Sequence, residues 1–354
     1  MPRIDEPLLQ SEHIQEATAS LTYKGVDWSS TLVEEDSGRT YSGLDGTSQP
    51  LERIFKDNGV NAVRQRIWNN PSDGNYNLDY NLELGKRAND AGLEVFLDFH
   101  YSDTWADPSH QTTPSEWDGD DLQSLASAVK SYTKSVLNSF ASADIPLSIV
   151  SIGNEITAGL LWPVGDMNEA NGPFNVATLL HAASAGVKES NLASQPKILI
   201  HLDNGWNWET QKWWYDAVLG EDVLVLDDFD AQGVSYYPFY NPDATLDALE
   251  TSLGNMRSKY GKEVMVVETN WPESCPNPEY AFPSDAADIP FSTAGQKTWM
   301  KEVASVVESS GGNGVFYWEP AWVDNAALGS SCDDNAMFEW EGQARDSISV
   351  FGSI

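Results

Sequence analysis

The chain has 354 residues, of which 41% are apolar, so it can bury one large core or two of ordinary size. No apolar run approaches the roughly 18 residues of a membrane span, so we expect no transmembrane helix. The chain carries 54 acidic and 20 basic residues, a formal net charge of -34. This charge repels phosphate backbones and anionic lipids, which argues against nucleic-acid or membrane partners and favours a neutral ligand. Solubility alone is the alternative explanation for the acidity.

Residues 1–20 differ in character from the rest of the chain. They are polar and acidic, without the apolar stretch of about 7 to 15 residues that a secretory signal contains. We expect them to be a disordered or added extension outside the fold. No linker or shift in composition divides residues 21–354, so these are predicted to form one domain.

Short apolar runs rich in β-branched residues recur along the chain. They are Leu21–Val26, Ala62–Ile67, Val95–Phe99, Ser148–Ile152, Ile198–Leu202, Gly233–Tyr236, Val264–Val267 and Gly314–Tyr317. Most are apolar on both faces, which is typical of parallel strands covered by helices.

Segments with the 3.6-residue apolar period of amphipathic helices lie between these runs. They are Pro50–Asn58, Tyr80–Ala91, Asp121–Phe140, Asn175–Ser190, Glu209–Leu219, Pro242–Tyr260 and Ser292–Ser310. The pairs Asn58-Gly59, Ala91-Gly92 and Tyr260-Gly261 mark helix ends. Eight strands alternating with helices over about 300 residues predict an α/β fold, a single (β/α)8 TIM barrel. An open doubly wound sheet is the rival, but no glycine-rich phosphate loop follows any run.

Polar and aromatic residues follow every predicted strand, at the end of the barrel where active sites are built. These segments are Asp27-Trp28, Arg64–Trp68, Asp98–Tyr101, Gly153–Glu155, His201–Asn204, Tyr236-Tyr237, Glu268–Trp271 and Trp318–Pro320. A purely structural barrel has no need of such residues at all its strand ends.

Two carboxylates, Glu155 and Glu268, follow the fourth and seventh strands, which lie on opposite sides of a barrel mouth. Cleavage of a glycosidic bond needs one carboxylic acid as proton donor and one carboxylate, and a separation of about 5–5.5 Å gives retention. A single glutamate at a strand end is more often an ordinary loop residue. The pair, with Asn154 directly before the first, favours a glycosidase site.

The two carboxyl groups need different surroundings, because the acid requires a raised pKa and the nucleophile a lowered one. Arg66 and a tyrosine from the sixth strand, Tyr236 or Tyr237, are the expected hydrogen-bonding partners of Glu268. Neighbouring strand residues face opposite ways, so only one tyrosine can point inward.

Tryptophans and histidines complete the set of candidate ligands at the strand ends. Nine tryptophans follow strand ends, where flat rings can stack on sugars or simply plug the barrel: Trp28, Trp68, Trp105, Trp162, Trp206, Trp208, Trp271, Trp318 and Trp322. His201 and Asp203 have a ligand-like spacing, and His100, His110 and His181 could join them. No His-Glu-x-x-His motif is present, so no catalytic metal or cofactor is expected. Cys275 and Cys332 could form one disulfide or remain free thiols.

Several segments resemble the arabinogalactan endo-β-1,4-galactanases of glycoside hydrolase family 53. They are Tyr23–Asp27, Val63–Trp68, Asp98–Pro108, Gly153–Glu155, Gly233–Pro238 and Val267–Thr269. The resemblance runs from about Leu21 to the C terminus. The long Asp98–Pro108 motif is specific, whereas Asn-Glu is shared by many barrel glycosidases.

The resemblance implies a retaining endo-hydrolase of the β-1,4-galactan side chains of pectin. We expect the protein to be secreted, and nothing in the sequence indicates an obligate partner, so a monomer is expected. Glu155 would be the proton donor and Glu268 the nucleophile. The implied substrate-binding residues are Arg66, Asn154 (at the sugar 2-hydroxyl), Trp105, Asp203, Tyr236 or Tyr237, and Trp318 (at the floor of the subsite next to the cleaved bond). Fungal members of the family link these two loops by a disulfide, whereas bacterial members link them by a calcium ion. The cysteine pair therefore implies a Cys275–Cys332 disulfide and no required ion. Asp333 and Asp334 keep calcium binding open as the alternative.

Two other classes of function remain. Another barrel endo-glycosidase, a β-mannanase or a cellulase, would share the carboxylate pair. A non-catalytic carbohydrate-binding barrel is the third hypothesis, although such proteins usually lose one carboxylate.

Overall fold

The computed structural model describes residues 21–117 and 121–354, which form a closed barrel of eight strands in sequence order. Each strand pairs in parallel with its neighbours, and the eighth pairs with the first. The predicted (β/α)8 barrel is therefore confirmed. The predicted extension, residues 1–20, lies outside the described residues. None of the described helices is long and apolar enough to cross a membrane.

The strands and helices alternate along the chain. The strands are β1 Tyr23–Asp27, β2 Ala62–Ile67, β3 Glu94–Phe99, β4 Ile149–Ile152, β5 Lys197–Leu202, β6 Ala231–Ser235, β7 Glu263–Thr269 and β8 Gly314–Tyr317. The helices are α1 Thr31–Asp36, α2 Leu51–Asp57, α3 Leu78–Ala91, α4 Leu122–Ser142, α5 Gly172–Lys188, α6 Trp208–Leu219, α7 Leu246–Tyr260 and α8 Thr293–Ser309. Short 3₁₀ helices span Ile156–Ala158, Leu226–Asp228, Val323–Asn325 and Asp346–Gly352.

Local signals fix most of the helix ends. Side chains that accept a hydrogen bond from the first turn cap several helices, including Asp121 before α4 and Thr245 before α7. The predicted α7 began at Pro242, but the Thr245 cap starts the helix at Leu246. Gly92 and Gly261 end α3 and α7 at positive φ, as their sequence pairs predict.

The core has an inner and an outer part. Mostly apolar side chains fill the barrel interior, namely Tyr23, Ala62, Phe96, Ile149, Leu199, Ala231, Met265, Val267 and Phe316. A larger cluster packs the helices against the outside of the strands. A Cβ atom at Gly25 would lie 2.1 Å from the Phe316 ring, so the interior requires glycine there.

A β-bulge interrupts β7 near its C-terminal end. Val234 pairs with Val266, but the next residue of β6, Ser235, pairs with Glu268. Val267 is therefore the extra residue, and the alternation of side chains is reset after it. Without the bulge, Glu268 would lie out of phase with Met265, which points into the barrel.

Cys275 and Cys332 form a disulfide that joins the loop after β7 to the loop after β8. Both half-cystines are buried and pack against Phe239. The predicted disulfide is thus present, and the alternative of two free thiols is excluded.

Removing this disulfide should lower stability substantially. The bridge closes a loop over a sequence separation of 57 residues, so a Cys275→Ala/Cys332→Ala variant should lose about 4 kcal/mol in the chain-entropy model. Chemical denaturation of parent and variant measures this difference. Reduced parent protein should match the variant, and an unchanged midpoint would contradict the prediction.

Candidate active site

A cavity of about 480 Å³ opens at the carboxyl ends of the barrel strands. Its lining includes eight of the predicted site residues: Glu155, Glu268, Arg66, Asn154, Trp105, Asp203, Tyr237 and Trp318. Tyr236 is absent from this lining. Residues far apart in the sequence therefore meet in one cleft, as the (β/α)8 topology requires.

Glu268 is buried and held by one ion pair and one hydrogen bond. Arg64 Nη1 lies 2.9 Å from Glu268 Oε1. The Tyr237 hydroxyl donates to Glu268 Oε2 at 2.7 Å. Both contacts stabilise the charged carboxylate and fix its direction in the cleft.

The arginine at Glu268 is Arg64, so the prediction that Arg66 orients this carboxylate is wrong. Residues 64 and 66 share a parity on β2 and both point into the barrel, but Arg64 lies one layer deeper. Arg66 instead forms a buried ion pair with Glu319. Its guanidinium carbon lies 4.2 Å from the Tyr76 ring centroid and 4.3 Å from that of Trp105. Arg66 therefore lines the cavity next to the Tyr76 and Trp105 rings.

Arg64 also donates hydrogen bonds to two carboxylates and one amide group, which lie on β1, on β3 and just after β4. Its Nη1 donates to Asp27 at 2.8 Å, and its Nη2 donates to Asp98 at 2.8 Å and to Asn154 Oδ1 at 2.7 Å. These partners come from β1, β3 and the end of β4. This role of Arg64 was not predicted from the sequence, although Asp27, Arg64 and Asp98 all lie in the strand-end segments named above.

The two tyrosines after β6 point in opposite directions. Tyr236 is fully buried, stacks on Trp299, and its hydroxyl donates to the Ala244 carbonyl at 2.9 Å. Tyr237 lies two residues after Ser235, so its side chain points to the same side of the barrel wall as that of Ser235, and both line the cavity. A substrate-binding role for Tyr236 is therefore wrong, because its side chain packs outside the barrel.

Glu155 has a left-handed backbone, with φ of +48°, directly after the end of β4. Burial raises the pKa of Glu155 well above its usual range, and the charges of Glu268 and Asp203 raise it further. Burial also raises the pKa of Glu268, contrary to the lowered value expected for it. There, however, Arg64 and the Tyr237 hydrogen bond oppose the effect of burial. Glu155 is thus the better proton donor of the two.

Asn154 and two histidines support this arrangement. Asn154 Nδ2 donates to the Ala106 carbonyl at 2.7 Å, and its Oδ1 accepts from Arg64. His201 Nδ1 lies 2.9 Å from the same Oδ1. His100 Nδ1 accepts from the Ala106 amide at 3.0 Å, which places the proton on Nε2, next to Asp98. Burial lowers the pKa of both imidazoles, which favours their neutral forms.

The tryptophans divide into a cavity group and a core group. Trp105 stacks nearly parallel on Trp322, at 6.1 Å and 14°, and meets Trp318 edge to face. By contrast, Trp28 and Trp271 are buried in the core and do not line the cavity. The group at Trp105 offers apolar ring faces suited to sugars.

Among the residues that the structure describes, the acidic side chains and histidines of this mouth do not form a metal site. Within residues 21–117 and 121–354 no group of three or more His, Cys, Asp or Glu side chains could hold a metal ion. His110 and His181 pair instead with Asp107 and Asp228. Asp334 is bonded to Arg345 at 2.7 Å.

Comparison with known proteins identifies the family. The profile described as Glycosyl hydrolase family 53 matches residues 23–351. This chain belongs to glycosyl hydrolase family 53. It is 61% identical over 341 residues to the "Probable arabinogalactan endo-beta-1,4-galactanase A" of Neosartorya fischeri, covering 96% of this chain and 95% of that protein. It is 58% identical to the "Arabinogalactan endo-beta-1,4-galactanase" of Humicola insolens, covering 95% of this chain and all of that protein.

Solved structures agree with this assignment. A chain from a study of two fungal β-1,4-galactanases superposes with a TM-score of 0.92 at 57% identity, over 95% of this chain and 100% of that one. The family 53 catalytic domain of Ignisphaera aggregans gives a TM-score of 0.81 at 30% identity, over 93% of this chain and 94% of that one. A β-1,4-mannanase at 14% identity, with a TM-score of 0.54, shares the fold alone. The protein is a glycoside hydrolase, so the non-catalytic hypothesis is excluded.

The two tyrosines of this family 53 hydrolase give a matched pair of variants. Tyr237→Phe removes the hydrogen bond that lowers the pKa of Glu268, so the acidic limb of kcat/KM should move to higher pH and kcat should fall roughly tenfold. Tyr236→Phe should leave the profile unchanged, because its hydroxyl bonds a backbone carbonyl outside the cavity. Equal pH profiles for both variants would contradict the assignment.

Proposed function

We propose that this family 53 hydrolase cleaves β-1,4-galactosidic bonds within galactan and arabinogalactan chains, with retention of anomeric configuration. The observation that carries the proposal is one cavity lined by two carboxyl groups with different surroundings, Glu268 buried and Glu155 partly buried. Glu155 lies where burial and like charge favour its protonated form. Glu268 lies between the Arg64 guanidinium and the Tyr237 hydroxyl, which favour its anion.

These surroundings support a double displacement. In the first step the Glu155 carboxylic acid gives its proton to the glycosidic oxygen while a Glu268 oxygen attacks the anomeric carbon. The leaving sugar departs and a galactosyl ester on Glu268 remains. In the second step the Glu155 carboxylate takes a proton from water, and the resulting hydroxide displaces Glu268. Both carboxyl groups return to their starting states.

The cavity walls support binding of a neutral sugar chain. Trp105 and Trp318 present ring faces beside the carboxylates. Asn154 Nδ2 has a second hydrogen available to a sugar hydroxyl after its bond to Ala106. Asp203 also lines the cavity, so its carboxyl group can accept from a sugar hydroxyl.

A substrate panel tests the substrate, and product analysis tests the stereochemistry. Reducing-sugar release should be at least about a hundredfold faster from galactan than from mannan or carboxymethylcellulose, because sites that bind a hydroxyl reject its epimer. NMR should show the β-anomer as the first product. Activity on mannan or cellulose alone would overturn the substrate, and an initial α-anomer would overturn the mechanism.

We also infer that the enzyme acts outside the cell as a monomer. The buried disulfide fits an oxidising compartment. The net charge of -34 opposes self-association and nucleic-acid binding. Light scattering after size exclusion should give a mass near the chain mass of 39.0 kDa, and a dimer mass would contradict the inference.

A further inference from the structure

Glu319 follows β8 and lies buried behind the wall of the active-site cavity. It is 2% exposed, and the cavity lining includes its neighbour Trp318 but not Glu319 itself. Its backbone has a left-handed φ of +49°, a conformation that a residue other than glycine keeps only where its surroundings fix it. Glu319 therefore does not touch a sugar in the cavity, and any effect that it has on sugar binding passes through its neighbours.

The Glu319 carboxylate holds the guanidinium of Arg66 in place. Glu319 Oε1 pairs with Arg66 Nη1 and accepts hydrogen bonds from the Ser30 hydroxyl at 2.8 Å and the Ser30 amide at 3.1 Å. Arg66 Nη2 donates to the same Ser30 hydroxyl at 2.9 Å, which closes a ring of three buried groups. These bonds occupy the edge of the guanidinium and leave its flat faces for aromatic rings.

Three tryptophans depend on this arrangement for their positions. The Arg66 guanidinium carbon lies 4.3 Å from the ring centroid of Trp105 and 5.3 Å from that of Trp322. Trp105 stacks on Trp322 and meets Trp318 edge to face. The carbonyl oxygen of Glu319 also accepts from the Trp322 amide at 3.2 Å. Glu319 is therefore connected to Trp105 through Arg66, and to Trp318 and Trp322 through the backbone.

We propose that Glu319 is a positioning residue for sugar binding, because it holds Arg66 against the Trp105 ring that lines the cavity. A ring that is fixed before the sugar arrives loses little freedom on binding, so more of the stacking free energy remains as affinity. This inference rests on the proposed function, in which Trp105 and Trp318 bind the galactan chain. The rival explanation is a buried ion pair whose charges matter only for folding.

Two substitutions of Glu319 separate length from charge. Calorimetry gives the Kd for galactotetraose, with every variant made in a Glu268→Ala background that binds without cleaving. Glu319→Asp keeps the charge but withdraws the carboxylate by one methylene, so Trp105 loses its support and the Kd should rise about tenfold. Glu319→Gln keeps the length and an acceptor oxygen for Arg66, so the Kd should rise less than about threefold. A larger rise for Glu319→Gln than for Glu319→Asp would overturn the positioning role.

A double-mutant cycle tests whether the effect of Glu319 passes through Trp105. Trp105→Ala alone should raise the Kd, because it removes a ring face from the cavity wall. In the presence of Trp105→Ala, adding Glu319→Asp should change the Kd less than about twofold, because the ring that it would displace is gone. An equal effect of Glu319→Asp with and without Trp105 would overturn the inference. Unchanged affinity in Trp105→Ala alone would overturn it too.

Glu52→Asp is the matched control. It shortens another glutamate–arginine pair, Glu52 with Arg87 at 2.6 Å, which lies outside the cavity lining. Its Kd should equal that of the Glu268→Ala background, and chemical denaturation checks that each variant is folded. A parent enzyme that releases no sugar from galactan would overturn the proposed substrate and this inference with it. An active parent, together with an unchanged Kd in Glu319→Asp, would overturn the inference alone.

Discussion

Replacing Glu268 by alanine should reduce turnover of galactan by at least about 10⁴-fold, because the substitution removes the covalent nucleophile. The barrel should remain folded. Arg64 keeps its ion pairs with Asp27 and Asp98 at 2.8 Å. Arg64 therefore does not become an unpaired buried charge when Glu268 is removed. Glu268 is itself a carboxyl group that burial disfavours in its charged form, since burial raises its pKa.

Added azide distinguishes a lost nucleophile from a damaged site. The cavity left by the Glu268 side chain should admit azide, which attacks the anomeric carbon from the same face and yields an α-galactosyl azide from an activated β-galactobioside. Glu279→Ala, an exposed position, is the control and should retain parental turnover. Turnover of Glu268→Ala within tenfold of the parent would show that another group is the nucleophile.

The fold was predictable because two periodicities alternate along the sequence. All eight strands appear, with ends within a few residues of the predicted runs. The helix Thr31–Asp36 was missed because six residues are too few to show an apolar stripe, and the side chain of its N-cap residue, Ser30, accepts no capping hydrogen bond. The turns at Asp346–Gly352 were missed for the same reason of length.

The active site was predictable at the level of segments and less so at the level of side chains. Glu155 follows β4 and Glu268 lies near the C-terminal end of β7, so their approach to one cleft follows from topology. Arg64 and Arg66 lie two residues apart on β2, so side-chain alternation places both inside the barrel and does not distinguish them. Only their depth in the barrel decides which one reaches Glu268. The Glu268 side chain points into the barrel because of the bulge at Val267, and no residue type in β7 predicts a bulge at that position. For the tyrosines, counting in twos from the inward Ala231 would have selected Tyr237.

Arg64→Met should destabilise the fold by about 3 to 5 kcal/mol, because it leaves buried carboxylates without their shared cation. Asp27, Asp98 and Glu268 each lie within 2.9 Å of the Arg64 guanidinium. Methionine fills part of the volume but supplies no charge or N–H. Chemical denaturation at neutral pH measures the loss.

The loss in Arg64→Met should shrink in acid, and the sign follows from the pKa shifts. In the parent, burial alone would raise the Asp98 pKa, but the Arg64 charge and the His100 bond hold it below its usual range. Asp98 thus stabilises the parent above its unfolded pKa, and this contribution is lost as pH falls through the folded value. Without Arg64, the effect of burial dominates, and the pKa values of the carboxyl groups that it paired with rise above those of the unfolded chain. These groups then oppose folding increasingly as pH rises.

The pH dependence therefore separates a charge effect from a packing effect. The difference in unfolding free energy between parent and Arg64→Met should be larger near pH 7 than near pH 4. Arg87→Met is the matched control. Arg87 also bridges two carboxylates, Glu35 at 2.7 Å and Glu52 at 2.6 Å, but its side chain is 20% exposed. Water and salt screen these partners, so its loss should cost about 1 kcal/mol or less. A deficit in Arg64→Met that does not change with pH would mean that lost packing, and not the unpaired carboxylates, dominates.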